Sequence, residues 1–404
     1  MKIGGHSPAW LLPAGFEDLG PARAEALERY RRALLDLFGR WGYRLVIPPM
    51  LEHLESLLTG SAADLDLQTW KVLDQASSRL LGFRSDMTPQ MARMDAQMSR
   101  DHDQRRLCYA GTVLRALPDA LGGSRAPYQV GAECFGVAGP EGDLEILSLL
   151  IESVAVCQDT SDCVLDLGHV AIARSLVASL GLDASLQARL LEAVERKAWP
   201  DLQAILEATP ERASALAELT MLAELHGDRE VLQRARSALG HHSVVQRALD
   251  DLDFVWGVLC ERYPQLSIQC DLAELHGHRY HTGMLFAVYG PQRGEPLAQG
   301  GRYDGIGRSF GCDRPATGFS LDLKPLLRDG LEPSRGPRIW APASADAALW
   351  RSISDLRSQG YTVVQGGPGP TVSAAEEGFD GWLEARDGSW VLVGSAPEFR
   401  FPAG

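Results

Sequence analysis

Apolar residues recur three and four positions apart between Pro21 and Gly42, at Leu27, Tyr30, Leu34, Phe38 and Trp41. That period lays them along one face of an α-helix. Pro21 suits the first helical turn, where its missing N–H costs nothing, and Gly42 suits the stop. The next stretch, YRLVIPPMLEHLESLL, reads as a short strand, a break at Pro48-Pro49 and a new helix. Trp70–Leu73 and Arg79–Phe83 predict a hairpin around Gln75-Ala76-Ser77-Ser78. Thr88 is placed as a helix N-cap, with Pro89 in first position and the helix running to about Ser99. Two extended runs follow, Leu107–Arg115 and Pro127–Phe135, joined by a loop, Pro118–Ser124, of turn-forming residues. A helix over Leu144–Val156 comes next.

The pattern then changes character. From about Val170 to Glu261 the chain is rich in Ala, Leu, Glu and Arg with helical periodicity, which predicts an all-helical insertion. Strands resume at Leu266–Leu272 and Met284–Tyr289. A Gly-rich connection, QGGRYDGIGRSFG, leads to a run at Ala316–Leu323. Leu331–Pro337 reads as a linker. Beyond it, RIWAPAS, a helix near Asp346–Ser358 and YTVVQGG predict a small βαβ start, then a loop, GGPGPTVS, and one more strand, SWVLVG. The expected organisation is an α+β domain over residues 1–330, with 170–262 as its helical insertion, and a small α/β domain over 337–404.

At 404 residues, 45% hydrophobic and 23% charged, the composition is that of a globular protein with ample core. No apolar run reaches the ~18 residues of a membrane helix, and the N-terminal stretch lacks the apolar core of a secretory signal. Seven cysteines without a CxxC pair predict reduced thiols in the cytoplasm. A net charge of −14 argues against a nucleic-acid partner.

No Walker loop, dinucleotide fingerprint, HExxH or nucleophile elbow is present. Four places carry candidate chemistry. Gln129 and Glu133, four apart on a strand, share one face: a ligand-facing pair, or two half-exposed residues at a sheet edge. Asp86 and Thr88, just ahead of a helix, serve either as capping groups or as a carboxylate and hydroxyl aimed at an ammonium. Arg115, at a strand end, is a partner for carboxylate or phosphate, or a solvated arginine. His276, His278 and His281, with Glu274, have strand spacing that brings His276, His278 and Glu274 to one face. Without a further CxxC or HxxxH, solvated or ligand-facing histidines are expected rather than a metal site, and no cofactor is implied.

In this order, these pieces resemble the catalytic domain of the histidyl-tRNA synthetases over about Pro13–Leu327. PAGFEDLGP, the long helix and VIPPMLE resemble that family's opening and its motif one. RSDMT is similar to its RPEGT signature, with Asp86 in place of Glu and Thr88 kept. LRALPDALGGSRAPYQVGAECFG lines up with motif two at Arg115, Gln129, Gly131, Glu133 and Gly136. YHTGMLF and GGRYDGI resemble the two histidine-specific signatures. The resemblance implies a class II synthetase-like antiparallel sheet flanked by helices. It also implies a histidine pocket in which Asp86, Thr88 and Gln129 hold the ammonium and Glu133 meets the imidazole, with Arg115, Tyr280 and His281 beside them.

The departures fall elsewhere. The Glu of motif two is Leu117, the arginine of the first histidine-specific signature is His276, and the motif-three arginine is Pro325. Losing one preorganised donor to a developing charge typically costs roughly 10²–10³ in rate, so adenylate formation is not expected. A chain of this kind resembles the regulatory subunits of short-form ATP phosphoribosyltransferase. That resemblance implies a self-dimer without catalytic residues that activates a separate catalytic subunit and takes part in feedback by L-histidine. A divergent histidyl-tRNA synthetase and a stand-alone histidine sensor are the alternatives.

Overall fold

The computed structural model describes residues 11–59, 63–98, 104–118, 123–207, 213–275, 281–291, 294–327, 337–366 and 378–394. The chain divides into two units, Met1–Asp329 and Gly330–Gly404. In the first, α1 (Pro21–Arg40) buries Leu27, Tyr30, Leu34, Leu37 and Phe38. These are the positions its 3.6-residue period selects, together with Leu37 one step along the same face. After β1 (Arg44–Leu45) the Pro48-Pro49 break leads into β2 (Leu51–His53), α2 (Leu54–Leu58), α3 (Ala63–Gln68) and the hairpin β3 (Lys71–Leu73) and β4 (Leu80–Phe83). These strands form a small sheet in the order β2-β4-β3. Asp74 ties the hairpin turn by accepting from the Ser77 hydroxyl at 2.5 Å and the Ala76 amide at 3.1 Å.

The main sheet is assembled from distant segments. α4 (Thr88–Met98), β5 (Arg105–Thr112), β6 (Tyr128–Phe135) and α5 (Pro140–Cys157) precede β7 (Val164–His169). The insertion supplies α6 (Val170–Ser179), α7 (Ala184–Glu195), α8 (Trp199–Glu207), α9 (Ala213–Met221), β8 (His226–Gly227), α10 (Glu230–Leu239) and α11 (Ser243–Arg262). β9 (Ser267–Asp271), β10 (Met284–Tyr289), β11 (Pro296–Arg302) and β12 (Ala316–Asp322) complete it. The nine strands run β1-β5-β6-β12-β11-β10-β7-β9-β8, antiparallel except where β1 meets β5 and β7 meets β9. The stretch expected to be all helical is helical except for β8, which adds a short strand to the sheet edge.

Four strands escape the sequence reading of this unit: the short β2, which follows the Pro48-Pro49 break where a helix was expected, β8 within the helical stretch, and β7 and β11. β7 lies in CVLDLGH, between two predicted helical regions. β11 covers the first part of the run read as a Gly-rich connection. Gly300 and Gly301 weaken its strand signal, but their small size lets β11 lie between β10 and β12.

α5 is buried on nearly all sides, through Leu144, Ile146, Leu147, Leu149, Leu150, Ile151 and Val154. Its first turn carries the buried Asp143, paired with Arg302 of β11 at 3.0 Å. The same guanidinium donates to the carbonyls of Gly139 at 2.7 Å and Val137 at 3.1 Å. A buried pair of this kind, with Arg302 Nε donating to Asp143 Oδ2 at 3.0 Å, fixes where the helix meets the sheet. Phe38 of α1 closes edge-on against Phe319 of β12, with centroids 6.0 Å apart.

In the second unit, β13 (Arg338–Pro342), α12 (Ala347–Ser358) and β14 (Thr362–Gly366) make the expected parallel βαβ start. β15 (Gly381–Arg386), which the sequence reading did not anticipate, pairs parallel with β13 and antiparallel with β16 (Ser389–Gly394). Ile339, Ala341, Leu349, Ile353, Leu356 and Leu383 form its core. Most of the expected linker, and the loop after Gly366, lie outside the described residues. Among the described residues no helix is long and apolar enough to cross a membrane.

Removing one partner of a buried ion pair strands the other charge. Arg302→Met is therefore expected to cost about 3–5 kcal/mol, measured as the shift in urea unfolding followed by tryptophan fluorescence.

Candidate functional site

β6 lies between β5 and β12 in the interior of the large sheet. Gln129 and Glu133 are therefore both buried, at 5% and 1% exposure, and the sheet-edge alternative is overturned. Both face a cavity of about 120 Å³ that also takes in Asp86, Thr88, Arg115, His281, Tyr303 and Ser320. That is smaller than the ~300–1,000 Å³ of drug-sized ligand sites, and it suits a metabolite of amino-acid size.

Glu133 is the most enclosed group. Its Oε1 bonds the Thr88 hydroxyl at 3.0 Å and the Tyr109 hydroxyl at 3.1 Å, and its Oε2 bonds the Tyr303 hydroxyl. Gly318 lies opposite it in the β6–β12 register. A Cβ there would stand 1.5 Å from Oε2, so only glycine leaves room for the carboxyl. Burial pushes the Glu133 carboxyl up to about 8; the Tyr303 hydroxyl opposes this and the negative charge of Asp86 adds to it. Near neutral pH the group is mainly protonated, a donor as well as an acceptor.

Asp86 and Gln129 form a second cluster. The Gln129 amide donates to Asp86 Oδ1 at 2.7 Å and to the Ser320 hydroxyl at 3.1 Å, while its oxygen accepts from the Met87 N–H at 3.0 Å. Both amide donations are thus made within the protein, and Gln129 holds Asp86 in place. Asp86 also accepts from the Thr88 N–H at 3.3 Å. The Thr88 hydroxyl bonds Glu133, so the expected capping role of Thr88 falls to Asp86.

β5 ends at Thr112 rather than at Arg115. Arg115 is held beyond it by a bridge to Thr69, with its carbonyl accepting from Trp70 Nε1 at 2.8 Å. Its buried guanidinium feels the negative charges of Asp86, Asp322 and Glu295. Arg125, stacked 4.7 Å from the Trp70 ring, braces the same turn. His281 is buried at the cavity wall, and its carbonyl accepts from Arg174 of α6. Tyr280, His276 and His278 lie outside the described residues. Glu274, which the sequence grouped with them, pairs with Lys197 at 3.3 Å.

Of the sequence candidates, Asp86, Thr88, Arg115, Gln129, Glu133 and His281 converge on one cavity. Tyr109, Tyr303 and Ser320 were not singled out. Tyr303 sits inside the GGRYDGI signature, which was the available signal. Tyr109 was read only as one apolar position in a strand. The cavity offers a carboxylate for an ammonium, a guanidinium for a carboxylate, and a Glu–Tyr–Thr cluster for a polar side chain.

A neighbouring groove of about 220 Å³ shares Arg115 and contains Pro325. Its other cations, Arg23 and Lys324, pair with Glu17 at 3.0 and 3.6 Å. Asp322 and Glu295 also line it. The positive charge on this wall is therefore matched by carboxylates, and the Leu117 side chain is exposed.

The sequence signature of the histidyl-tRNA synthetases matches residues 15–326, and that of the ATP phosphoribosyltransferase subunit HisZ C-terminal domain matches residues 336–393. The chain is 50% identical over 392 residues to the ATP phosphoribosyltransferase regulatory subunit of Thioalkalivibrio sulfidiphilus, covering 96% of this chain and 99% of that one. Its identity to the protein of the same name from Pseudomonas putida is 48% over 390 residues, covering 95% and 98%. Among solved structures it resembles an ATP phosphoribosyltransferase regulatory subunit/histidyl-tRNA synthetase from Bacillus halodurans, at a TM-score of 0.79 and 25% identity, covering 94% and 98%. It also resembles a histidyl-tRNA synthetase from Nostoc sp. PCC 7120, at 0.75 and 15%, covering 96% and 97%. The latter likeness is one of fold. The architecture is the α+β class II synthetase fold.

The Glu133 carboxyl has an ordinary value of 4.5 and a folded value of about 8. Between these the folded chain holds a proton that the unfolded chain has released, so stability falls as pH rises across that window. Glu133→Gln is expected to flatten this slope, as read from urea unfolding at a series of pH values.

Proposed function

Because this chain belongs to the histidyl-tRNA synthetase family and, within it, to the ATP phosphoribosyltransferase regulatory subunits, we propose that it is a non-catalytic partner that activates a separate, short-form catalytic chain and relays histidine feedback to it. Its role is that of a regulatory subunit in histidine biosynthesis. One observation carries the finer reading. A cavity equipped for a small zwitterion persists, while the adjoining groove has Pro325 and charge-matched walls where adenylation needs surplus cations. Proline has no side-chain donor, and a triphosphate needs preorganised positive charge.

In this reading L-histidine is the effector. Asp86 receives its ammonium, Arg115 its carboxylate, and Glu133 with Thr88 and Tyr303 its imidazole. Gln129 positions Asp86, His281 lines the ring's surroundings, and Tyr280 joins the proposal on the resemblance alone. Histidine binding would be coupled to the partner by about 1–3 kcal/mol, the usual allosteric range.

A self-dimer belongs to the same proposal. The run from edge strand β1 into β2 exposes Leu45, Ile47, Met50 and Leu51, with Ile47 82% exposed. Such a contiguous apolar edge calls for a covering surface. The proposed residue organisation remains residues 1–330 with the insertion at 170–262, and 337–404. A cytoplasmic location is supported by the free state of all seven cysteines.

Mixing the purified chain with a short-form catalytic subunit is expected to give a stable complex with raised phosphoribosyltransferase activity that histidine lowers. No complex and no change in rate would exclude the proposal. Histidine-dependent ATP–pyrophosphate exchange by this chain alone is expected to be absent; its presence would favour a divergent synthetase. Asp86→Asn, which removes a charge-assisted bond worth about 1.5–3 kcal/mol, is expected to weaken histidine binding about 10- to 100-fold in calorimetry.

A further inference from the structure

The helical insertion holds a second cluster of polar side chains, none of which lines the cavity. α10 ends at Gly240, where a Cβ would stand 2.4 Å from the Arg236 carbonyl. Gly240 itself keeps right-handed helical dihedrals, and this close approach leaves no room there for a side chain; the next two residues are His241 and His242. The corner is fixed by backbone bonds from the His242 N–H to the Leu239 carbonyl at 3.1 Å and from the Gln246 N–H to the His242 carbonyl at 3.0 Å. It sets the two imidazole rings 4.2 Å apart, inclined at 40°.

Both rings present Nε2 to one carboxylate, Glu218 of α9. His241 reaches Oε1 at 3.1 Å and His242 reaches Oε2 at 2.8 Å. Leu219 and Leu222, beside Glu218, are fully buried and anchor that end of α9. Among the described residues these are the three His, Cys, Asp or Glu side chains whose ligand atoms all lie within 4.8 Å of one another.

The plain reading is a pair of surface histidine–carboxylate contacts, which contribute little to stability. Two features go beyond it. Two adjacent imidazoles converge on a single carboxylate, an arrangement in which a second imidazolium would repel the first. The spacing also fits a metal: zinc–nitrogen and zinc–oxygen bonds near 2.0–2.2 Å in a tetrahedron separate ligand atoms by roughly 3.3 Å. The two histidine–carboxylate separations, 3.1 and 2.8 Å, lie slightly inside this, and the three ligand atoms all lie within 4.8 Å of one another, close enough for one ion to draw them together. His241 has 60% of its side chain exposed, so a fourth position faces solvent.

We propose that Glu218, His241 and His242 form a binding site for a zinc-class divalent transition metal, which clamps α9 to the α10–α11 corner. Nitrogen and carboxylate donors select such ions over magnesium, which takes oxygen ligands in an octahedron.

The test uses the full chain, stripped with chelator and titrated calorimetrically with zinc chloride and, separately, magnesium chloride. The wild type is expected to bind zinc at a site that magnesium does not fill. Since losing even an outer partner of a metal ligand costs about 10–100-fold, Glu218→Gln and the His241→Ala/His242→Ala double variant are expected to lose that equivalent or weaken it at least as much. His241→Gln, at the most exposed ring, gives the same comparison in a chain whose fold it leaves alone. Cobalt loaded into the site is expected to show d–d absorption of a four-coordinate nitrogen and oxygen set without a thiolate charge-transfer band. Unchanged zinc stoichiometry and affinity in the variants, or a thiolate band lost with none of them, would overturn the proposal.

Discussion

A carboxyl group sealed beneath a glycine sets the terms for this protein. Glu133 lies in the middle of a nine-stranded sheet, with Gly318 leaving it room and three hydroxyls, from Thr88, Tyr109 and Tyr303, around its oxygens. An ionised carboxylate in that place would be expensive, so the group keeps its proton to about pH 8. The hydroxyls come from α4, β5 and the turn after β11, and the glycine from β12. Each of these elements must be in register for the cluster to close, so the sheet topology and the site chemistry are one constraint.

The surrounding framework supports this through buried arginines that join its elements. Arg302 spends its guanidinium on Asp143, Asp304 and two carbonyls, joining β11 to α5. Arg84 donates to the carbonyls of Pro48 at 2.9 Å and Thr112 at 3.0 Å, pinning the double-proline break against β5. These arginines are structural, and none is left to serve a phosphate. The contrast with the cavity is informative. The interior arginines are tied up in architecture, and the groove cations Arg23 and Lys324 are paired with Glu17. The fold is shared with a synthetase at 15% identity, and fold by itself does not fix function.

Much of this was legible from local pattern. The 3.6-residue period gave α1 nearly to its ends, and turn residues gave the β3–β4 hairpin. The two-residue period put Gln129 and Glu133 on one face. Ordered signatures brought Asp86, Thr88, Arg115, Gln129 and Glu133 into one reading before any of them was placed in space. The strands that were missed, β2, β7, β8, β11 and β15, are short or carry weak local signals. In β11 glycines stand where side chains would mark a strand, and their value lies in what they let neighbouring strands approach.

Sequence alone thus determined the helices, most of the longer strands and the grouping of the site residues, because periodicity and turn chemistry act over a few residues. Tertiary structure decided the rest. Whether Gln129 and Glu133 lay at an edge or in the interior depended on β12, nearly two hundred residues later in the chain. The protonation of Glu133, the use of Gln129 to hold Asp86, the pairing of Arg23 and Lys324 with Glu17, and the meeting of Glu218 with His241 and His242 share one cause. Each is set by distances between groups remote in sequence, and desolvation and Coulomb energies depend on those distances rather than on chain position.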